Sequence, residues 1–367
     1  MTNDSPNNNF VETFGAYTQA DLVGKWNLHM LKAGTTSAQN MWARRIVTFA
    51  ASSDDNLSAV LTSASSCKDS TGSTACPTDL KWKINPLTGE ITESGANALT
   101  ANHLTMSSNK NFITGTDTKI TTGTGGYTQV KLMIGQKSVD GVSYINGDLF
   151  GGNFLQGDAW NQSFVYHELS VGANNMWSYG MGSSILGDVS INFAFGPSTT
   201  ENPANITNPV WGKISVSSTG IVKLSDADMA TFDGFLSDDK KTIVGTYTSD
   251  SSYKLIVIQI TDRSDYPVSA LPVGTMFDHM LAIGADVPFW AHATATVDGG
   301  GTMSFGNWAC SASSISAPGA VAGTINTSGG VGITGSDFNG QVSDDGLFMV
   351  GTQTFSTGVY SLIVNTQ

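Results

Sequence analysis

A chain of 367 residues, 40% of them hydrophobic, can bury a sizeable core as one large β domain or as two or three smaller ones. Its 17 Lys and Arg stand against 30 Asp and Glu, and the net charge of −13 repels phosphate backbones and anionic lipid alike. No apolar run approaches the ~18 residues that a membrane helix needs, so neither a nucleic-acid partner nor a transmembrane segment is expected. Only 13% of residues are charged, about half the usual share. Gly, Ser, Thr, Asn and Asp supply the polarity instead, as in many secreted β proteins.

In chain order, residues 1–16 read as a polar leader. Its start, "MTNDSPNNNF", lacks the basic and apolar regions of a signal peptide. If the protein is exported, its signal lies outside this sequence. A first unit, 17–137, opens with a Tyr-led turn, "YTQADLVGKW", and continues with "LHMLKAG", which carries His29, and then Trp42. The polar loop "CKDSTGSTAC" follows. A disulfide between Cys67 and Cys76 would pin that loop and implies an oxidising compartment. Next come a glycine hairpin at 82–92, the piece "LTMSSNKNFITGTDT" and the strand "YTQVKLMIG".

A second unit, 138–262, repeats the order. A turn from Tyr144, "YINGDLFGGN", and an extra stretch precede "YHELSVG", which holds His167. Trp177, a hairpin at 211–222, "GFLSDDKKTIVGTYT" and "YKLIVIQI" follow. The one helical candidate in the chain is "SDADMATF", 225–232. A third unit, 263–367, runs from Tyr266 through "DHMLAIG" with His279, Trp290, "GTINTSGGVGIT", "GQVSDDGLFMVGTQT" and "YSLIVNT". Histidines, tryptophans and closing serines (107, 237 and 343) thus share one period near a third of the chain, which marks a triplication.

The fold class is all-β: short alternating runs punctuated by Gly, Asn, Asp and Ser, about eight strands per unit. "LSDDKKTIVGTYTSDSSYKLIVIQI" resembles a blade of the TolB and WD40-like β-propellers. That resemblance implies a six-bladed propeller, two blades per unit, with the units sharing one domain. "KLIVIQI" and "YSLIVNT" are apolar on both faces, which suits a blade held between neighbours. The alternative is three tandem eight-stranded barrels, each unit having the needed length. For it, "YTQADLVGKW" resembles the lipocalin opening, a short turn leading to G-x-W, here Gly24 and Trp26. The matching positions of the other units are Phe164 and Met276.

Alternation puts His29, His167 and His279 on apolar faces beside Leu31, Leu169 and Leu281. They read as buried core imidazoles. Around a propeller axis they would instead suit zinc or another transition metal, the sole cofactor the pattern suggests. In tandem barrels they would occupy three separate lumens. Trp42, Trp177 and Trp290 read as core plugs or, if exposed, as platforms for sugar rings. "SSNK", "SDDK" and "SDDG" read as hairpin turns. "DGVSYINGD", 140–148, has oxygen ligands but not the spacing of a calcium loop. No hydrolase, P-loop or dinucleotide motif appears, His103 and His292 have no nucleophile pattern beside them, and no catalytic residue is assigned. The expectation is an exported, extracellular or periplasmic, non-catalytic protein binding a protein or glycan. The alternatives are a secreted carbohydrate- or peptide-acting enzyme and a small-ligand carrier.

Overall fold

The structure, a computed structural model, describes residues 17–95, 102–120, 128–138, 162–172, 177–185, 188–192, 194–195, 209–225, 232–249, 252–262, 273–284, 288–325, 330–343, 345–356 and 359–367. The leader at 1–16, the turns from Tyr144 and Tyr266, the calcium candidate at 140–148 and all but the ends of the helical candidate lie outside the described residues.

A single helical turn, α1 (Gln19–Leu22), leads into β1 (Gly24–Gly34), β2 (Met41–Ala51), β3 (Ser58–Asp69), β4 (Gly72–Ser73), β5 (Lys81–Ile84), β6 (Glu90–Ser94), β7 (Asn102–Met106), β8 (Phe112–Ile120) and β9 (Thr128–Ser138). The second unit forms β10 (Gln162–Val171), β11 (Trp177–Ile185), β12 (Asp188–Asn192), β13 (Ala194–Phe195), β14 (Pro209–Val216), β15 (Ile221–Ser225), β16 (Asp233–Leu236), β17 (Thr242–Ser249) and β18 (Ser252–Asp262). The third forms β19 (Gly274–Ile283), β20 (Phe289–Val297), β21 (Thr302–Cys310), β22 (Val321–Ile325), β23 (Gly330–Ile333), β24 (Asn339–Val342), β25 (Phe348–Ser356) and β26 (Val359–Thr366).

Every pairing is antiparallel, and each unit closes on itself. In the first, β1 pairs with both β2 and β9, and the ring runs through β3, β5, β6, β7 and β8. In the second, β10 pairs with β11 and β18 in the same way. The third is a closed barrel from β19 to β26. The propeller is therefore wrong. A propeller blade has its own open edges and is not closed on itself, whereas here the last strand of each unit returns to its own first strand. The barrel alternative is the correct one.

Doubly apolar strands are not peculiar to propeller blades. Along β26, Leu362 and Val364 belong to one buried cluster and Ile363 to another. In β9, Leu132 and Ile134 are likewise separated from Met133. One face of each strand fills its own barrel. The other faces a core shared by all three barrels, made of Leu31, Phe112 and Leu132 from the first, Leu169, Leu255 and Val257 from the second, and Leu281, Phe348 and Leu362 from the third, among others. A strand buried twice needs apolar residues at successive positions in a barrel as much as in a blade.

The barrels meet in a ring. β1 packs on β17 and β18, β10 on β25 and β26, and β19 on β8 and β9. Each opening hairpin thus leans on the closing hairpin of the next unit, and the third leans back on the first. Such a head-to-tail contact with a closing rotation gives a cyclic arrangement.

The repeated Ser-Asp pieces are hairpin turns, as the sequence indicates. Ser107 Oγ accepts from the Phe112 amide (3.0 Å) and donates to Asn109 Oδ1 (2.7 Å), which also takes the Asn111 amide. Ser237 with Asp239 and Ser343 with Asp345 repeat the pattern. The residue after the Asn or Asp adopts positive φ in all three: Lys110 (63°), Lys240 (62°) and Gly346 (74°). Asn109 Nδ2 also donates to Asp345 Oδ2 at 3.0 Å, joining the first and third turns.

Candidate functional site

The residues singled out by the repeat lie in the seams between barrels. Trp42 is buried, and its indole N–H donates to Thr248 of the second barrel at 2.8 Å. Trp290 is buried likewise and donates to Thr118 of the first. Neither presents a ring for stacking on a sugar. Trp177 opens β11; its side chain lies outside the described residues.

His29, His167 and His279 are buried on the outer faces of their barrels, not in the lumens. His279 crosses its seam: Nε2 is 2.8 Å from Thr105 Oγ1 and Nδ1 is 3.4 Å from Thr116 Oγ1 of the first barrel. His29 faces a crevice shared with Gly234 and Phe235 of the second barrel. His167 belongs to β10, which packs against the third. Each histidine thus serves a different seam. Among the described residues no three His, Cys, Asp or Glu converge as a metal site.

Another histidine trio does assemble. His279 stacks on His292 with ring centroids 4.6 Å apart, and His292 stacks on His103 of the first barrel at 5.2 Å. His103 and His292 are two residues to which the sequence gives no role. Burial, then the neighbouring rings, holds His279 well below the ordinary histidine range. The same causes bring His292 down to about 4. The column is neutral packing between barrels.

The lumen of the first barrel offers a different environment. Its closed end is filled by Trp26, Trp82 and Phe49, with Trp82 stacked on Phe49 at 4.2 Å. Trp26 is anchored by an N–H bond to the Leu22 carbonyl (2.9 Å), so G-x-W plugs this end. Toward the other end the inward positions turn polar, and a cavity of about 150 Å³ opens. Leu28, Trp82 and Met133 form its apolar wall; Lys32, Arg45, Lys119 and Lys131 face Glu93 and Asp117 across it. An eight-stranded barrel is just wide enough for filled packing or one small ligand.

Several of these groups are already satisfied. Lys131 Nζ pairs with Asp117 Oδ2 at 3.2 Å, both deeply buried. Glu93 Oε2 accepts from Trp82 Nε1 and Asn102 Nδ2, each at 3.1 Å. Among the described residues, Lys32, Arg45 and Lys119 make no salt bridge. Among the described residues Arg45 Nη2 reaches Met30 Sδ at 3.5 Å, and the guanidinium feels the charge of Glu93. Lys32 is pushed down to about 8, first by burial and then by Lys131, Arg45 and Lys119. Asp117 Oδ1 has no partner among the described residues.

Sequence reasoning missed this cavity. The repeat directs attention to what the three units share, and these cations are what they do not share. The available signal is that charged residues are scarce here, yet Lys32 and Arg45 fall on the same parity as the lumen residues Met30 and Ala43.

Two of the three cysteines form the expected Cys67–Cys76 disulfide. Cys310 is free and half-buried. No helix among the described residues is long and apolar enough to cross a membrane.

No family model and no curated protein matches the chain. Among solved structures, a protein of unknown function of the DUF3598 family from Nostoc punctiforme is 8% identical, with 95% of this chain and 97% of that one covered and a TM-score of 0.23. Transferrin binding protein B from serogroup B Neisseria meningitidis is 7% identical over 94% and 76% (TM-score 0.28). A variant of the Haemophilus parasuis protein of that name is 9% identical over 96% and 76% (TM-score 0.26). The barrel assignment rests on the strand pairing of this chain.

Proposed function

We propose that the protein is a non-catalytic binding protein and that its ligand site is the lumen of the first barrel. The observation that carries this reading is the cavity itself: a closed barrel whose inner end is packed while its other end leaves charged side chains around open space. A folding requirement alone favours apolar filling there, because a buried charge costs stability unless it is paired. Export to the cell surface, the periplasm or beyond belongs to the same proposal, supported by the disulfide and the small-polar composition. The test is a thermal-shift screen of ring-sized compounds of either charge and of none, alongside a panel of glycosidase and peptidase substrates. Stabilisation by at least one compound, lost when Met133→Trp fills the cavity, is expected. Turnover without any lumen binding would overturn the reading in favour of an enzyme.

A further inference from the structure

The three barrels can be compared position by position, because one triplication built them. Immediately before each closing strand's shared-core leucine (Leu132, Leu255 and Leu362), the inward layer holds Lys131 in the first barrel, Lys254 in the second and Ser361 in the third. In the second barrel that lysine is neutralised completely: Lys254 Nζ is 2.8 Å from Glu168 Oε1, and Tyr247 donates to Glu168 Oε2. In the third, Ser361 needs no counter-charge and donates to the Gln353 carbonyl at 3.4 Å. In the first, Lys131 has Asp117.

The surplus lies at three other positions. Lys32 follows the motif leucine; its counterparts are Ser170 and Ala282. Arg45 lies three residues after the motif tryptophan; its counterparts are Gly180 and Ala293. Lys119 matches Ser249 and Phe355. All three are cations in the first barrel alone, and all three line one cavity. The barrel fold does not require them, since two sister barrels close without them. Lys32 and Arg45 are also costly, being gathered together and partly withdrawn from water, with the exposed Lys119 adding a third like charge.

We infer that the first barrel's lumen binds a small anion, its carboxylate or phosphate group held by Lys32, Arg45 and Lys119 and its body against Leu28, Trp82 and Met133. This rests on the lumen reading above and names its ligand class. Arg supplies a planar fork for a carboxylate or phosphate, and the lysines add two point charges. A cavity of about 150 Å³ suits a single ring, since an engineered pocket of that size takes benzene.

Titration calorimetry with the full chain at low salt tests it, using benzoate, benzamide, benzylamine and inorganic phosphate as probes. Benzoate or phosphate is expected to bind and benzamide and benzylamine not. Lys32→Met, Arg45→Met and Lys119→Met should each weaken anion binding at least fivefold. Lys119 is exposed and Lys32 is crowded by like charges, so those two variants fold and keep the test decisive. Benzamide binding as tightly as benzoate would leave the lumen a ligand site but overturn its anion preference. Anion binding indifferent to all three variants would also overturn it. Binding of none of the four probes would sink both readings together.

Discussion

Arg44 of the first barrel and Asp233 of the second pair across their seam, and the positions equivalent to them at the third-to-first seam hold His292 and His103. Arg44 and His292 each lie two residues past the motif tryptophan; Asp233 and His103 each lie four before the turn serine. One geometric slot is filled by an ion pair in one seam and by stacked neutral rings in another. Asp233→Asn should therefore strand Arg44 in a site where its side chain is 15% exposed. A loss of about 3 kcal/mol in urea unfolding is expected. The double variant Arg44→Met, Asp233→Leu should recover most of it; a recovery of nothing would mean the pair is not the binding element of that seam.

Acid should loosen the molecule. Burial is the largest cause holding all five histidines below their ordinary 6.5: His29 and His167 at about 3, His292 at about 4, and His279 and His103 lowered. Around the column, His103 feels Asp117 and Glu90, and His292 touches the Asp278 carbonyl. At these five histidines the unfolded chain takes up protons first, so their contribution is full above pH 6.5 and falls as the pH drops toward 4 and then 3. The buried Asp278 carboxyl, raised to about 7, works the other way and blunts the fall. His29, His167 and His292 each contribute up to about 1.4 kcal/mol for every pH unit between 6.5 and their folded values. Unfolding followed by fluorescence from pH 7 to 4 checks this, and His292→Phe should flatten the curve.

Thr105→Val removes the 2.8 Å partner of His279 while keeping its shape. A buried imidazole nitrogen left without a partner costs about 1–3 kcal/mol. Thermal unfolding should show the drop. Thr62→Val, on an exposed hydroxyl bonded to the Thr48 carbonyl, should change the midpoint little.

Lys32→Met should stabilise the ligand-free protein while it weakens anion binding. The like charges of Lys131, Arg45 and Lys119 and the burial that brings Lys32 to about 8 both disappear. A higher melting temperature together with a lost benzoate signal is the expected pair of results. For the unsubstituted protein, anion affinity should decline as the pH rises through 8 and Lys32 gives up its proton.

The triplication, the strands, the disulfide and the hairpin turns were all legible in the sequence, because each is a local pattern: an alternation, a spacing, a Ser and an Asp two residues apart. Closure was not. Whether Leu362 and Ile363 bury against two neighbouring blades or against one lumen and a shared core depends on which strand pairs with the last one, and alternation is the same in both. The histidines were legible as core residues but not as seam residues. The cavity escaped for a different reason: Lys32, Arg45 and Lys119 come from three separate strands and converge only once β1, β2 and β8 are curled around one axis.

The ring of barrels has the contact pattern of a trimer, yet it is written in a single polypeptide. In an assembly of identical subunits any substitution alters every junction at once. Here a codon change reaches one junction, or one lumen, and leaves its two counterparts intact. That freedom lets one seam hold salt and another hold stacked imidazoles, and lets one barrel carry cations at positions where its siblings have none. Specialisation by position, without loss of the closed architecture, follows from joining the three units end to end.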